Sequence, residues 1–561
     1  MSLRVLFIAY DNGAYDQIFP MGIGALAGVI KKEGHTYSTW HQDIHHWPDE
    51  DLTEYLDNNK FDVVILSLIG GYYQYQKMKG LSAAINKSKQ RPVYLMGGYG
   101  PTPEPEFFLK KSGCDVVCMG EGEITIVKLL ESIENKTPLK DVPGVAWLEN
   151  GKLQKTLRAP KVENLDSLPE IPYEDFPMNN YRLMRSPNCS ITDFCFPLMS
   201  ARGCTFKCTF CYRMDTGYRK RDPEALLDEV EMLYRKFGIT RFSFVDDLLM
   251  SSVEHTEAVC KSFLKRNLPV TWDCCGRLNY CSKELLQLMK DAGCVFIAYG
   301  IEAMNQKVLN NMKKGLSPKM IIDGIEATLE IGISPGLNFI FGNKGDNRET
   351  LKETVDFLLK YDDFAQKRTI RPVTPYPGSP LYYDAISMGL LDKDNPCEDF
   401  YENKHLNSDL ICTNFTELTD EEYYEALKWA NKTLMKNYYD KQKISTIKQI
   451  DHLYDNRDTS FRGFRHGSGN AAGDTSVKDS FRNVESGQKV ANKAKLVNYE
   501  NTFNRDADAS RFSNKADITG KSRKSLRSFD EYLESKRIRL EQRKIKKSEV
   551  EIQSPHYDST H

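Results

Sequence analysis

Two stretches of the chain alternate short apolar runs with amphipathic ones. In the first, RVLFIAY, FDVVILSLIGG, PVYLMGG and CDVVCMGEGE are apolar almost throughout, and IGALAGVIKKEG is amphipathic between them. Strands apolar on both faces need cover on both faces, so residues 1–140 are predicted to form an α/β domain, a doubly wound, Rossmann-like parallel sheet. Residues 141–190 are rich in proline with weak periodicity and read as a linker. A second alternation fills 191–395, with strands at PLMSARG, RFSFVDD, PVTWDCCGR, CVFIAYGIE, ISPGLNFIFG and KRTIRPVTP. Six strand and helix units make a partial (β/α)6 barrel of the TIM type, short of the eight that close one. Residues 396–448 form a C-terminal helical region, with an amphipathic helix from about Asp420 to Lys441 capped by Thr419. Residues 449–561 read as a largely disordered polar tail carrying a basic helical segment at 521–547.

Composition narrows the partners. Lys and Arg number 76 and Asp and Glu 78, so no global basic field draws the chain to nucleic acid. Nucleic acid is not expected as a partner; only the basic tail segment offers it a contact. No apolar run approaches the length of a membrane span. A cytoplasmic protein without membrane contact is therefore expected, with its 14 cysteines as thiols or metal ligands.

The most informative stretch is Cys204-Thr-Phe-Lys-Cys208-Thr-Phe-Cys211, a loop after a predicted strand. Three thiolates on one loop can hold three irons of a four-iron cluster and leave the fourth open to a ligand from outside the protein. A structural zinc usually takes four ligands from two paired clusters. Cys189 and Cys195 lie upstream only at looser spacing, and the Cys-Pro of ferredoxins is absent.

This Cys-x3-Cys-x-aromatic-Cys loop, with Phe210 as the aromatic, resembles that of the radical S-adenosylmethionine superfamily. The resemblance implies that Cys204, Cys208 and Cys211 ligate a 4Fe-4S cluster. The methionine amine and carboxylate of S-adenosylmethionine would chelate its open iron, and one electron would cleave the sulfonium to a 5′-deoxyadenosyl radical. It also implies cofactor contacts at later strand ends. Asp246 stands where the family contacts the methionine amine, a helix N-cap being the plain structural alternative. Arg277 is placed to pair with the methionine carboxylate. Glu302 ends a Gly-Ile-Glu motif near the cofactor, and Asn338 lies on the fifth strand.

Four glycine-rich loops follow the strands of the first domain, where open α/β sheets bind ligands. Gly22-Ile-Gly24-Ala-Leu-Ala-Gly28 approaches the dinucleotide fingerprint, but about a dozen residues separate it from its strand. The segments Phe19-Pro-Met-Gly22-Ile-Gly24 and Met96-Gly97-Gly98-Tyr-Gly-Pro-Thr are similar to the cobalamin-binding domain that precedes many radical enzymes. That resemblance places the cobalamin tail near Ser67, Gly97, Gly98, Glu121 and Gly122. The loop after the first strand, Asp11-Asn-Gly-Ala, lacks the histidine that other cobalamin proteins put below cobalt. Asp43-Ile-His45-His46 follows the second strand, and its histidines read as surface residues.

The expected function is a cobalamin-dependent radical S-adenosylmethionine methyltransferase acting on an unactivated carbon. The same machinery can carry out oxidation, cyclisation or ring rearrangement without methyl transfer. A reading of another class is a zinc-bound, non-catalytic protein that grips RNA or another partner. The enzyme reading implies a small-molecule or natural-product substrate and a reducing electron donor, and names no catalytic acid or base.

Overall fold

The computed structural model describes residues 2–10, 17–190, 192–215 and 217–457. The loop after the first strand and almost all of the expected tail, including its basic segment, lie outside these residues. The chain forms two sheets in succession, each with strands whose carboxyl ends meet the other's.

The first sheet has strands β1 (Arg4–Ala9), β2 (Thr36–His41), β3 (Val63–Ser67), β4 (Val93–Gly97), β5 (Val116–Cys118), β6 (Val145–Glu149) and β7 (Lys152–Lys155), in the order β2-β1-β3-β4-β5-β6-β7. The first five are parallel, and β1 is buried from Val5 onward. The last two correct the expected boundary at 140. They pair antiparallel and extend the sheet to residue 155. The cause is local: Asn150 and Gly151 both have positive φ (51° and 76°), the two-residue turn that suits a hairpin, flanked by VAWLE and KLQK. The remainder of the expected linker wedges between the sheets. Phe19 of the first domain packs at 5.0–5.4 Å between ring centres against Tyr173, Phe176 and Tyr181 of that segment and Phe196 of the second sheet.

The second sheet is the expected partial barrel. Its six strands are β8 (Cys195–Leu198), β11 (Arg241–Phe244), β12 (Thr271–Gly276), β13 (Cys294–Glu302), β14 (Ser334–Phe341) and β15 (Arg371–Pro372), parallel and in sequence order. Between β8 and β11 a separate antiparallel hairpin, β9 (Ala201–Cys204) and β10 (Gly217–Lys220), carries the start of the cysteine loop. Side-chain caps start the barrel helices: Asp222, Ser252, Ser282, Ser317 and Asn347 each accept backbone N–H groups of the first turn.

The C-terminal region straps the far face of the first sheet. Tyr401 stacks on Phe107 (5.7 Å, 11° between planes) and donates its hydroxyl to Gly70 O at 3.2 Å, while Glu402 meets Lys79 at 3.2 Å. The final helix, Asp420–Asn456, begins at the expected Thr419 cap, closed by a reciprocal bond with Glu422. It runs past Lys441 and past the expected boundary at 448. Ile444, Ile447, Ile450 and Leu453 continue the helical spacing without glycine or proline, and extending a formed helix is easy.

Candidate active site between the two sheets

The cysteine loop leaves β9 at Cys204 and is fixed by the strand beside it. Asp246, just beyond β11, accepts the N–H of Ser200 (2.7 Å) and of Ala201 (3.1 Å) and the Ser200 hydroxyl. It caps no helix; the helix Val253–Arg266 is capped by Ser252. Its carboxylate instead pins the turn before the cysteines, and burial pushes its pKa up to about 7 against those hydrogen bonds. The neighbouring Asp247, at the same strand end, accepts the Gly203 N–H at 3.1 Å, one residue before Cys204.

Cys208 is buried, Cys204 half-buried and Cys211 on the open side of the loop. Desolvation raises the free thiols of Cys204 and Cys211, the latter to about 12, and the nearby Cys208 adds to both. The three thiols thus sense one another. Among the described residues no three His, Cys, Asp or Glu side chains stand as close as the ligands of one metal ion must. Thiolates on separate corners of an iron cluster need no such closeness.

Around the loop stand the other barrel residues singled out from the sequence. Arg277, beyond β12, lies with its guanidinium carbon 3.5 Å from the centre of the Phe206 ring, and its Nε donates to Asn279 Oδ1 at 2.7 Å. Its Nη2 is buried without a partner. An unsatisfied cationic donor beside the cysteines fits an anionic group such as a carboxylate. Glu302, with φ of +73°, turns back over Gly300, where a Cβ would stand 2.5 Å from Glu302 Oε1 and would push the carboxylate aside. Asn338 pairs with Gly300 across β13 and β14 and is exposed between buried neighbours, so it faces the open mouth of the barrel.

The first sheet brings Ser67, Gly97 and Cys118 side by side at its carboxyl edge. Gly98 follows with φ of +104°, and a Cβ there would lie 2.4 Å from Leu68 O, so the edge is shaped by backbone alone. Gly122 opens the helix Gly122–Asn135, with Glu121 just before it.

Glu121 reaches across to the barrel. Its carboxylate takes the Arg219 guanidinium (3.0 Å to Nη1) and lies 3.5 Å from Arg202 Nη1, while Arg202 Nη2 meets Glu123 at 2.7 Å. All four side chains are at most 15% exposed. Arg202 stands on β9, two residues before Cys204. Next to this network Tyr99, after Gly98, meets Tyr212, after Cys211, edge to face at 6.0 Å. The glycine edge and the cysteine loop therefore face each other. Neither arginine was singled out from the sequence, although each sits on the hairpin flanking the cysteine loop.

Comparisons with known proteins agree with both halves. Residues 198–358 match the Radical SAM superfamily, and residues 12–130 match the B12 binding domain. The chain is 27% identical over 378 residues to an uncharacterized methyltransferase of Pyrococcus horikoshii, covering 66% of this chain and 79% of that one. It is likewise 27% identical over 386 residues to the anaerobic magnesium-protoporphyrin IX monomethyl ester cyclase of Cereibacter sphaeroides, covering 65% of this chain and 60% of the cyclase. Its fold resembles that of the radical S-adenosylmethionine methyltransferase TsrM from Kitasatospora setae, solved with cobalamin and a 4Fe-4S cluster bound. The TM-score is 0.61 at 16% identity, over 77% of this chain and 91% of that one.

The barrel and its loop make the chain a radical SAM enzyme. More particularly, it carries a B12 binding domain ahead of its Radical SAM domain. This overturns the reading of a non-catalytic zinc-bound scaffold. No described helix is long and apolar enough to cross a membrane.

Proposed function

We propose that the chain is a cobalamin-dependent radical S-adenosylmethionine methyltransferase that modifies an unactivated carbon of a small organic substrate. When bound, the cluster and S-adenosylmethionine supply a 5′-deoxyadenosyl radical, and cobalamin supplies a methyl carrier. The observation that carries the proposal is the meeting of the glycine edge with the cysteine loop, at Tyr99 with Tyr212 and at Glu121 with Arg202. Cofactors held at those two places would share one chamber.

Each residue then has a task. Cys204, Cys208 and Cys211 hold the cluster, and Phe210 anchors their loop against the apolar cores of both domains. Arg277 offers its free Nη2 to the methionine carboxylate. Asp246 keeps the turn before Cys204 in place, so its part is positioning. Asn338 lines the mouth, and Glu302 stays buried beside it, paired with Lys314. Ser67, Gly97, Gly98 and Gly122 form the trough for the cobalamin tail, and Glu121 closes one side of it through its arginines. A reducing donor must reach the cluster from solvent, and the open side of Cys211 is the near approach.

A second reading, cyclisation or oxidation without methyl transfer, is favoured by the similarity to the cyclase, equal in identity to that of the methyltransferase. Incubation with methyl-labelled S-adenosylmethionine separates the two. Label in product is expected; 5′-deoxyadenosine formed with unlabelled product would support the second reading. Cys208→Ala should reduce cleavage of S-adenosylmethionine to background, and cleavage surviving that change would remove the cysteine assignment.

A further inference from the structure

The segment between the helices Gln306–Asn311 and Pro318–Ile331 lies against the cysteine loop and presents one charged side chain inward. The Thr209 N–H, between Cys208 and Phe210, donates to Met312 O at 3.0 Å. Asn279 holds the other end of the segment, donating to Gly315 O at 3.0 Å. Lys313 and Gly315 both take positive φ (52° and 66°), a tight winding that turns Lys314 into the protein. Lys314 is 6% exposed. Its Nζ stands 3.0 Å from Glu302 Oε1 and 5.6 Å from the centre of the Phe210 ring, the residue next to Cys211.

Burying an ammonium is costly, and an isolated buried ion pair is often no better for stability than two apolar side chains. This pair is nevertheless built with care. Glu302, the partner of Lys314, holds a positive φ of 73°, a strained backbone for a residue other than glycine that persists where the surroundings enforce it. Gly300 leaves the space in which both end groups sit, since a Cβ there would lie 2.5 Å from the carboxylate and 3.1 Å from the ammonium. The pair faces a loop of three thiols that carry negative charge once they ligate metal. A compact ammonium in a poorly screened site acts on such charge over several ångströms.

Resting on the reading that Cys204, Cys208 and Cys211 hold an iron cluster, we infer that Lys314 is the buried counter-charge of the cysteine loop and sets how readily that cluster accepts an electron. Glu302 positions the ammonium and offsets part of its field. Lys314 is a positioning residue: it acts on the cluster through space and ligates nothing.

The test is a potentiometric titration, followed by electron paramagnetic resonance, of the full chain reconstituted with iron and sulfide and without S-adenosylmethionine. Lys314→Met should make one-electron reduction at least tenfold less favourable, a shift of about 59 mV to lower potential. Lys314→Arg should restore most of that loss. Glu302→Gln, which removes the offsetting charge, should shift the potential upward, and it keeps the test decisive if Lys314→Met does not take up iron. An unchanged potential in Lys314→Met, or equal shifts in the methionine and arginine variants, would overturn the inference, as would a downward shift in Glu302→Gln. Weakened S-adenosylmethionine binding at an unchanged potential would overturn it too, by assigning the ammonium to that molecule. Wild-type chain that takes up no iron would instead defeat the cluster reading beneath it.

Discussion

The two edges that face each other are built by opposite means. The edge of the first sheet is shaped by backbone: at Ser67, Gly97 and Gly98 it presents small residues and a positive-φ turn pressed against Leu68 O. The edge of the barrel is shaped by buried charge, with Asp246 holding the turn at Ser200, Arg277 over Phe206 and Lys314 against Glu302. A trough of backbone suits a large ligand recognised by its outline. A ring of fixed charges suits a small zwitterion and an electron acceptor, whose charge distribution the site must match. The difference implies that substitutions at the first edge act through volume and those at the second through charge.

The contrast can be tested from its strongest consequence downward. At the first edge, Gly98→Val would place a side chain into Leu68 O in a backbone conformation that β-branched residues avoid. Cobalamin retention after gel filtration should fall at least tenfold while iron content stays at the wild-type level. Loss of both together would show that the two edges are not separable.

At the junction, Arg202→Met leaves Glu123 buried without its nearest cation and weakens the hold on Glu121. Breaking a buried pair from one side costs about 3–5 kcal/mol. A loss of unfolding free energy of that order, read from urea denaturation, is expected. If the variant folds, the yield of methylated product per 5′-deoxyadenosine should drop, because the cysteine hairpin would be held to Glu121 by Arg219 alone. A wild-type ratio would mean that the network serves stability alone.

The smallest effect concerns pH, and the two regions should respond in opposite senses. His41, at the end of β2, is buried with Nδ1 3.0 Å from Tyr181 Oη, and burial lowers its pKa to about 3, with His45 adding to the shift. The unfolded chain then binds the proton more readily, so stability present at neutral pH is lost as pH falls below about 6.5. At pH 5 the loss is about 2 kcal/mol. Asp246 is raised to about 7, so its contribution is complete below about pH 4 and is lost as pH rises toward 7. Hydrogen exchange, corrected for the intrinsic rate, should show protection of residues 36–41 weakening on acidification from pH 7 to 5. Protection of the Ser200–Ala201 turn should strengthen over the same range. Parallel changes in both would contradict the assignment of the titrating groups.

Much of this architecture could be read in the chain because it is written locally. The apolar runs marked the parallel strands of both sheets, and the three cysteines with Phe210 marked their loop by spacing alone. What escaped was of two kinds. The β6–β7 hairpin was hidden by its proline-rich surroundings, although Asn150-Gly151 between alternating residues is a hairpin signal. Arg202, Arg219 and Lys314 could not be distinguished from surface cations, since their importance lies in contacts with residues 79, 98 and 12 positions away. Glu121 was noticed for its place beside a glycine loop, but its partners were not visible. Asp246 was noticed for its place after a strand, whereas its bonds run back 46 residues to Ser200.

The central claim is that one chamber holds an iron cluster on the cysteine loop and cobalamin on the facing glycine edge. Metal analysis of wild-type chain, reconstituted without oxygen with iron, sulfide and hydroxocobalamin and then freed of unbound material, tests it most directly. About four irons and one cobalt per chain are expected, with the iron absent from Cys208→Ala and the cobalt absent from Gly98→Val. Zinc in place of iron, or cobalt that does not remain with the wild-type chain, would contradict the account.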